Sequence, residues 1–333
     1  MNSSHVEITI VIPNWNGHKW LPDCLDALQR QTFRNFRTVI IDNGSVDGSV
    51  EWVKQHHPGI RLMELGENTG FAHAVNIGIQ SADSPYVALL NTDTEADPAW
   101  LDNLYRALRD SDESVGAVCG KMLMKSRPDR IENAGDTLSW QFAAEKRGYN
   151  QPAHLYNQAE EVFSCCAGAA LYRKSFLDKT SGFDRNFFAY LEDIDLGLRG
   201  RLMGYRYKYE PSAIVLHQGH GSGMPSAWYV RLTTANRLRL LFKNTPGHLI
   251  LRRFHSILYG QWYFLVCQRR PIATLSGYLD FIMAMPQVLR QRRVIRASSK
   301  ISSDEIDALL LPKMCQPGLF KAIINRIIRK ATP

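Results

Sequence analysis

EITIVIPNWNG, residues 7–17, sets the fold. Residues 8–12 are five consecutive β-branched side chains, which favour an extended chain, and Pro13 ends the run. A buried strand therefore opens into the polar loop Asn14-Trp15-Asn16-Gly17. Beyond it, Leu21, Leu25 and Leu28 carry helical spacing across 18–31. A second strand spans 36–41 and closes on Asp42-Asn43-Gly44-Ser45. A helix runs from about Asp47, whose side chain can cap it, to the Pro58-Gly59 stop. A third strand (60–65), a helix (70–81) and a fourth strand (86–90) follow, the last ending in Asn91-Thr92-Asp93. Strands alternating with helices predict a mostly parallel central sheet flanked by helices, an α/β fold. After Pro98 come a helix (99–109), a strand (115–124) and a Gly/Asn/Asp-rich stretch of loops and hairpins to 157. A strand (162–172), a helix (192–203) stopped by Gly204, and strands 205–210 and 213–216 complete the sheet.

The 333 residues suit one large α/β domain plus an appendage. The division falls near 223–226, giving a domain over 1–224 and a basic, helical region over 225–333. A 45% hydrophobic, 22% charged composition excludes wholesale disorder. No run reaches the roughly 18–20 consecutive apolar residues of a membrane span. The longest uncharged candidate, 254–268, contains His, Ser, Gly and Gln. The first residues lack the order of a signal peptide. Six scattered cysteines form no CxxC pair, so the reducing cytosol is the expected compartment.

The net charge of +8 is unevenly divided. Residues 225–333 hold 18 Lys+Arg against 4 Asp+Glu, and residues 1–224 hold 22 against 28. An acidic main domain argues against nucleic acid as partner. The basic residues alternate with aromatic and aliphatic ones, a pattern suited to an anionic membrane surface or a second subunit. In 319–330, Phe320, Ile323, Ile324, Ile327 and Ile328 make one apolar face opposite Lys321, Arg326, Arg329 and Lys330. That helix lies on a membrane or packs on the protein. Stretches 248–268 and 272–289, flanked by Arg252, Arg253, Arg269, Arg270, Arg290, Arg292 and Arg293, repeat the theme.

In open α/β sheets ligands bind beyond the carboxyl ends of the strands. Here those ends carry 13–17, 42–45, 67–71 and 91–93. Neither a GxGxxG nor a GxxxxGK[ST] loop is present, which excludes the usual dinucleotide and P-loop sites. Asp42 is either a turn former or an acceptor for a pyrimidine N–H. Asp93 is either a helix cap or an oxygen ligand for Mg²⁺ or Mn²⁺, ions that need few carboxylates when phosphates supply the rest. Glu192-Asp193-Ile194-Asp195 either complements a helix dipole or holds a general base whose pKa is raised by crowding and desolvation. His217 closes the last strand as a structural residue or a metal ligand.

Together these segments resemble a family 2 glycosyltransferase of the GT-A fold, and most closely its bacterial rhamnosyltransferase-like branch. The resemblance rests on IVIPNWNG (10–17), IDNGSVDGS (41–49), ENTGFAHAVNIGI (67–79) and LLNTDTE (89–95). It continues through CAGAALYRKSF (166–176), GFDRNFFAYLEDIDLGLRGRLMGY (182–205) and VLHQGHGSG (215–223), and covers about 6–242. It implies that Asp42 contacts the nucleotide base, helped by loop 13–16 with Pro13, Asn14 and Asn16. Asn68, Gly70 and Asn76 would shape the nucleoside pocket. Asp93 matches the last Asp of the family's DxD-type motif, while Asn91 and Thr92 depart from that motif and stand beside the donor. His217 matches a metal-ligand His, Asp193 the catalytic base of the ED motif, and Glu192 its supporting neighbour.

The implied reaction is a single inverting displacement, dependent on Mg²⁺ or Mn²⁺. It moves a sugar from a nucleotide-sugar donor, by branch resemblance dTDP-L-rhamnose, to a hydroxyl of a glycan or polyprenyl-diphosphate-linked acceptor. Such an enzyme would work peripherally at the inner face of the cell membrane. The alternatives are another donor such as a UDP-hexose, a nucleotidyltransferase, and a nucleotide-sugar-binding protein without turnover.

Overall fold

The computed structural model describes residues 6–219 and 226–315. The candidate amphipathic helix 319–330 lies outside them. Two units are distinguished, one of residues 1–136 and 146–223, the other of 137–145 and 224–333.

The first unit begins β1 (Ile8–Asn14), α1 (Leu21–Gln29), β2 (Phe36–Asp42), α2 (Ser49–His56), β3 (Arg61–Glu64), α3 (Phe71–Gln80) and β4 (Tyr86–Leu90). Then come β5 (Thr94–Ala96), α4 (Trp100–Arg109), β6 (Val115–Met124) and β7 (Arg127–Asn133). The short pair β8 (Asp136–Leu138) and β9 (Ala144–Lys146) comes next in the chain and falls mostly in the second unit; the first unit resumes with β10 (Glu160–Val162), β11 (Ala169–Arg173), α5 (Lys174–Thr180), α6 (Glu192–Leu202) and β12 (Arg206–His217).

The main sheet runs β10-β12-β6-β11-β4-β1-β2-β3, with β5 on β12 and β7 on β6. β1 pairs in parallel with β2 and β4, and β12 with β6. β11 lies antiparallel between β4 and β6. The carboxyl ends of β1, β2, β4 and β12 and the amino end of β11 therefore share one rim.

Strand periodicity explains the two-sided burial. Ile8, Ile10 and Ile12 enter one apolar cluster with Leu21, Leu25, Trp100 and Leu104 from α1 and α4. Val11, Val39, Ile41 and Leu89 enter the other with Ala72, Val75 and Ile79 of α3. Alternate residues of each strand point to opposite faces, and a helix layer covers each.

Three details differ from the sequence reading. Pro13 and Asn14 belong to β1, in register with Ile41 and Asp42, so the loop starts at Trp15. The expected strand 162–172 is two strands in different places, because the chain turns through Ser164–Gly168 between them. The expected strands 205–210 and 213–216 are one, β12, with a register irregularity between Glu210 and Ile214.

The second unit holds α7 (Ser226–Asn244), α8 (Gly247–Arg252), α9 (Phe254–Gln268), α10 (Pro271–Ser298) and α11 (Ser303–Leu309). Phe242 and Phe281 stack at 5.2 Å between α7 and α10, and Arg231 pairs with Asp280 at 2.6 Å. Asp307 at the end of α11 accepts from Arg253 at 2.6 Å. By length and composition α10 is able to cross a membrane, with an 18-residue window of mean hydropathy 1.3. A search for uninterrupted apolar runs passes over it because Asp280 breaks the run.

Candidate active site

At the ends of β1 and β2 a single hydrogen-bond net forms. Asn14 Nδ2 donates to Asp42 Oδ1 at 2.8 Å and to Ser45 Oγ at 3.0 Å, and Ser45 N donates to Asp42 Oδ2 at 3.0 Å. Asn16, with φ of +52°, donates its N–H to Ser45 Oγ and accepts from Val46 N. Asp42 is buried and has one donor on each oxygen, and a carboxylate has lone pairs for more. Asn14 Oδ1 is buried without a partner among the described residues. Asn68 Oδ1 accepts from Asn43 Nδ2 and Gly70 N, tying the loops after β2 and β3 together.

Asn76 braces the segment leading to α6: its Nδ2 donates to Phe183 O at 2.7 Å and its Oδ1 accepts from Phe183 N at 2.9 Å.

That segment is strained. Phe188, Tyr190 and Leu191 all have φ between +60° and +70°, a region bulky residues enter at a cost of roughly 1–3 kcal/mol each. Ala72 N holds Phe188 O at 3.1 Å, and Arg199 joins Asp195 to the carbonyls of Thr180 and Gly182. Gly70, at φ +88°, admits the contact: a Cβ there would lie 2.7 Å from the Phe188 ring. The strained turn delivers Glu192 and Asp193 to the first turn of α6.

Asp193 Oδ1 accepts from Ile194 N at 2.8 Å, and Oδ2 from Ala167 N at 3.4 Å. Ala167 precedes Gly168, whose carbonyl accepts from Asn91 N at 2.9 Å at the end of β4. Asp193 is thereby tied to the same rim as Asn91, Thr92 and Asp93. Burial raises the carboxyl of Asp193 above the ordinary range. Glu192 and Asp136 are raised too, by burial first and the Asp193 charge second, Asp136 to about 8. Burial thus favours the protonated form of all three carboxyls, and the Asp193 charge adds to this at Glu192 and Asp136. Within this turn Asp193 also retains partial exposure, whereas Glu192 and Asp195 are buried.

The β5–β12 pairing sets Thr94 opposite His217 and carries Asp93 to the imidazole. His217 Nε2 stands 3.3 Å from Asp93 Oδ2, and Nδ1 faces Glu132 Oε1 at 3.7 Å, too far for a hydrogen bond. Burial lowers the His217 pKa, but Asp93 and Glu132 outweigh it and hold the ring up at about 9. Glu132 in turn pairs with Lys146.

A carboxylate and an imidazole at this separation fit adjacent corners of an octahedral ion, whose ligands at 2.0–2.1 Å lie about 3 Å apart. Among the described residues no group of three or more His, Cys, Asp or Glu is placed to hold a metal. Two protein ligands suffice where phosphate oxygens complete the shell. Lys125, paired with Asp23 and Glu95, lines a small recess with Thr92 and Asp93. A larger cleft of about 330 Å³, lined by Asn103, Arg106, Lys208 and Glu210, contains none of these rim residues.

Glu132, Asp136, Lys146 and Lys125 were not anticipated. The signal available was the run Ile131-Glu132-Asn133-Ala134-Gly135-Asp136, two acids bracketing a turn after an apolar residue. Asp136 accepts from Asn133 Nδ2 at 2.7 Å and Ser164 Oγ at 3.2 Å. Its pKa of about 8 exceeds the unfolded value near ~3.9, so the folded state favours the protonated acid. The stability this adds is full below the unfolded pKa and is lost as pH rises through about 8. Thermal denaturation from pH ~4 to ~9 should show a falling melting temperature that flattens in Asp136→Asn. Parallel curves would remove Asp136 from this role.

The family model for "Glycosyl transferase family 2" matches residues 9–181, more than half the chain. The chain belongs to glycosyltransferase family 2. The transferase is 29% identical over 315 residues to the N-acetylglucosaminyl-diphospho-decaprenol L-rhamnosyltransferase of Mycobacterium tuberculosis, covering 86% of this chain and 95% of that one. It is 28% identical over 217 residues to the poly-β-1,6-N-acetyl-D-glucosamine synthase of Staphylococcus aureus, 62% of this chain and 48% of that one. Among solved structures it resembles GalNAc-T7 with UDP, GalNAc and Mn²⁺, at TM-score 0.62 and 15% identity over 93% of this chain and 59% of that one. A mannosyltransferase from Pyrobaculum calidifontis with GDP-Man and Mn²⁺ superposes at TM-score 0.51 and 17% identity, covering 98% and 89%. These likenesses give the GT-A fold, and the transferase is rhamnosyltransferase-like in sequence.

Proposed function

We propose that residues 1–224 form an inverting, divalent-metal-dependent transferase that moves L-rhamnose from dTDP-L-rhamnose to a hydroxyl of a lipid-linked or polymeric glycan. The carrying observation is that Asp193, whose carboxyl is raised above the ordinary range by burial, is bonded to the same rim as the Asp93–His217 pair. The relative named for an L-rhamnosyl transfer to a diphospho-decaprenol acceptor supports the donor and the acceptor class.

Asp42 and Asn14 would meet the base edge of the nucleotide, with Asn16, Asn68 and Gly70 holding their loops in shape. Asp93 and His217 would hold Mg²⁺ or Mn²⁺, the ion carried by the two structural neighbours. Held by these two side chains, such an ion would supply positive charge opposite the departing diphosphate. Asp193 takes the acceptor hydroxyl's proton as that oxygen attacks the anomeric carbon, and inversion follows from one displacement. Burial and the Asp193 charge favour the protonated forms of Glu192 and Asp136. Residues 225–333 would serve as the contact with the inner face of the cell membrane or with a second subunit.

Incubation with dTDP-L-rhamnose, UDP-hexoses and GDP-mannose, each with Mn²⁺ and a polyprenyl-diphosphate-linked amino sugar, tests the donor. Transfer from dTDP-L-rhamnose with inverted anomeric configuration is expected. Preferred use of a UDP-hexose, or retained configuration, would overturn the assignment.

A further inference from the structure

Within the second unit a group of buried polar atoms lies without partners among the described residues. Arg237 of α7 is 5% exposed, and its Nε and Nη1 have no hydrogen-bond partner among the described residues. Its guanidinium stacks 3.4 Å from the ring centroid of Phe264 on α9. One turn before Arg237, Thr234 Oγ1 is also buried and unpartnered. Gln261 and Gln268, three before and four after Phe264, share that face of α9 by helical spacing. Both carry buried amide atoms without partners. On α10, Thr274 Oγ1 is likewise orphaned. Gly277 brings α10 against this part of α7, since a Cβ there would lie 2.8 Å from Thr234 Cβ.

Meanwhile apolar residues face outward. Leu258 and Trp262 on α9, and Leu275, Leu279, Ile282 and Met283 on α10, are each more than half exposed. Buried polar groups are ordinarily paired, and a buried unpaired charge is strongly unfavourable.

No carboxylate of the unit is available to Arg237. Asp280 pairs with Arg231, Asp307 with Arg253, Glu305 closes the α11 capping box, Glu145 accepts from Cys315 N, and Asp304 faces Arg252. The residues outside the described ranges contain no Asp or Glu. A guanidinium with amide and hydroxyl donors is the set that grips a phosphate, and exposed apolar stripes are suited to acyl chains.

We propose that the α7–α9–α10 bundle is a lipid-phosphate site, with the phosphate held by Arg237, Thr234, Thr274 and Gln261. The phosphate belongs either to an anionic bilayer phospholipid or to a diphosphate lipid carrier. The carrier source rests on the acceptor class proposed above and the phospholipid source does not; binding is read without turnover, so failure of the site is distinguishable from failure of the transfer reaction.

The test is flotation of the full chain with phosphatidylcholine vesicles, alone or doped with phosphatidylglycerol or a polyprenyl diphosphate. Arg237→Gln should weaken binding to at least one doped vesicle about tenfold, the loss of one charge-assisted contact. Loss confined to phosphatidylglycerol assigns the bilayer lipid; loss confined to the diphosphate assigns the carrier. If Arg237→Gln does not fold, Gln261→Leu and Thr274→Val stand in, with the same weakening expected. Unchanged binding by folded variants, together with a raised melting temperature, would overturn the site, because relieving an empty polar cluster stabilises the fold.

Discussion

Asp193→Asn should bind the donor as the unsubstituted enzyme does and transfer its sugar about 10³-fold more slowly, within the 10²–10⁴-fold range of a general base. The amide oxygen can keep the shorter bond, from Ile194 N at 2.8 Å, and gives up the 3.4 Å contact of Ala167 N with the other carboxylate oxygen. The turn from Phe188 to Leu191 keeps its own anchor, Ala72 N to Phe188 O. Single-turnover transfer beside a donor-binding titration checks this. Glu192→Gln should lose much less, because burial and the Asp193 charge favour the protonated form of Glu192, which Gln resembles. Equal losses in the two variants would mean that the cluster acts as a structural unit. Substantial residual activity in Asp193→Asn would remove it from the role of base.

The second large effect is expected at the cation pair. Asp93→Asn and His217→Ala should each weaken Mn²⁺ binding in the presence of nucleoside diphosphate by at least about 10–100-fold, the range seen even for outer-sphere partners of metal ligands. Titration calorimetry reads this without turnover. EDTA should abolish transfer and Mn²⁺ or Mg²⁺ restore it. The His217 ring, held protonated by Asp93 and Glu132, must release its proton to take a cation, so Mn²⁺ affinity should rise with pH from ~6 to ~9. Activity indifferent to EDTA would contradict the assignment.

The alternating sheet was legible because β1, β2 and β4 each contain a short contiguous apolar run, and helical spacing separates the strands. Asp42, Asp93, Asp193 and His217 were legible as candidates because each closes a strand or opens a helix, positions visible along the chain. The brace that Asn76 makes was not legible because its partner, Phe183, is distant in sequence and near only after α3 packs. Glu132, Asp136 and Lys146 lie in a stretch without hydrophobic period, and β7 with the β8–β9 pair folds them toward His217 and Asp193. The splitting of 162–172 was hidden for a related reason: both strands are apolar, and only the turn at 164–168 separates them. In the second unit the flanking arginines were conspicuous, whereas the buried one, Arg237, looked like any helical cation until its surroundings were seen.

Diffraction from crystals grown with Mn²⁺ and an unreactive dTDP-L-rhamnose analogue, with data collected at the manganese edge, tests the shared rim most directly. An anomalous peak bonded to Asp93 and His217, with the Asp193 carboxyl facing the sugar's anomeric carbon, is the predicted result. A manganese peak away from that pair, or Asp193 turned from the sugar, would contradict it.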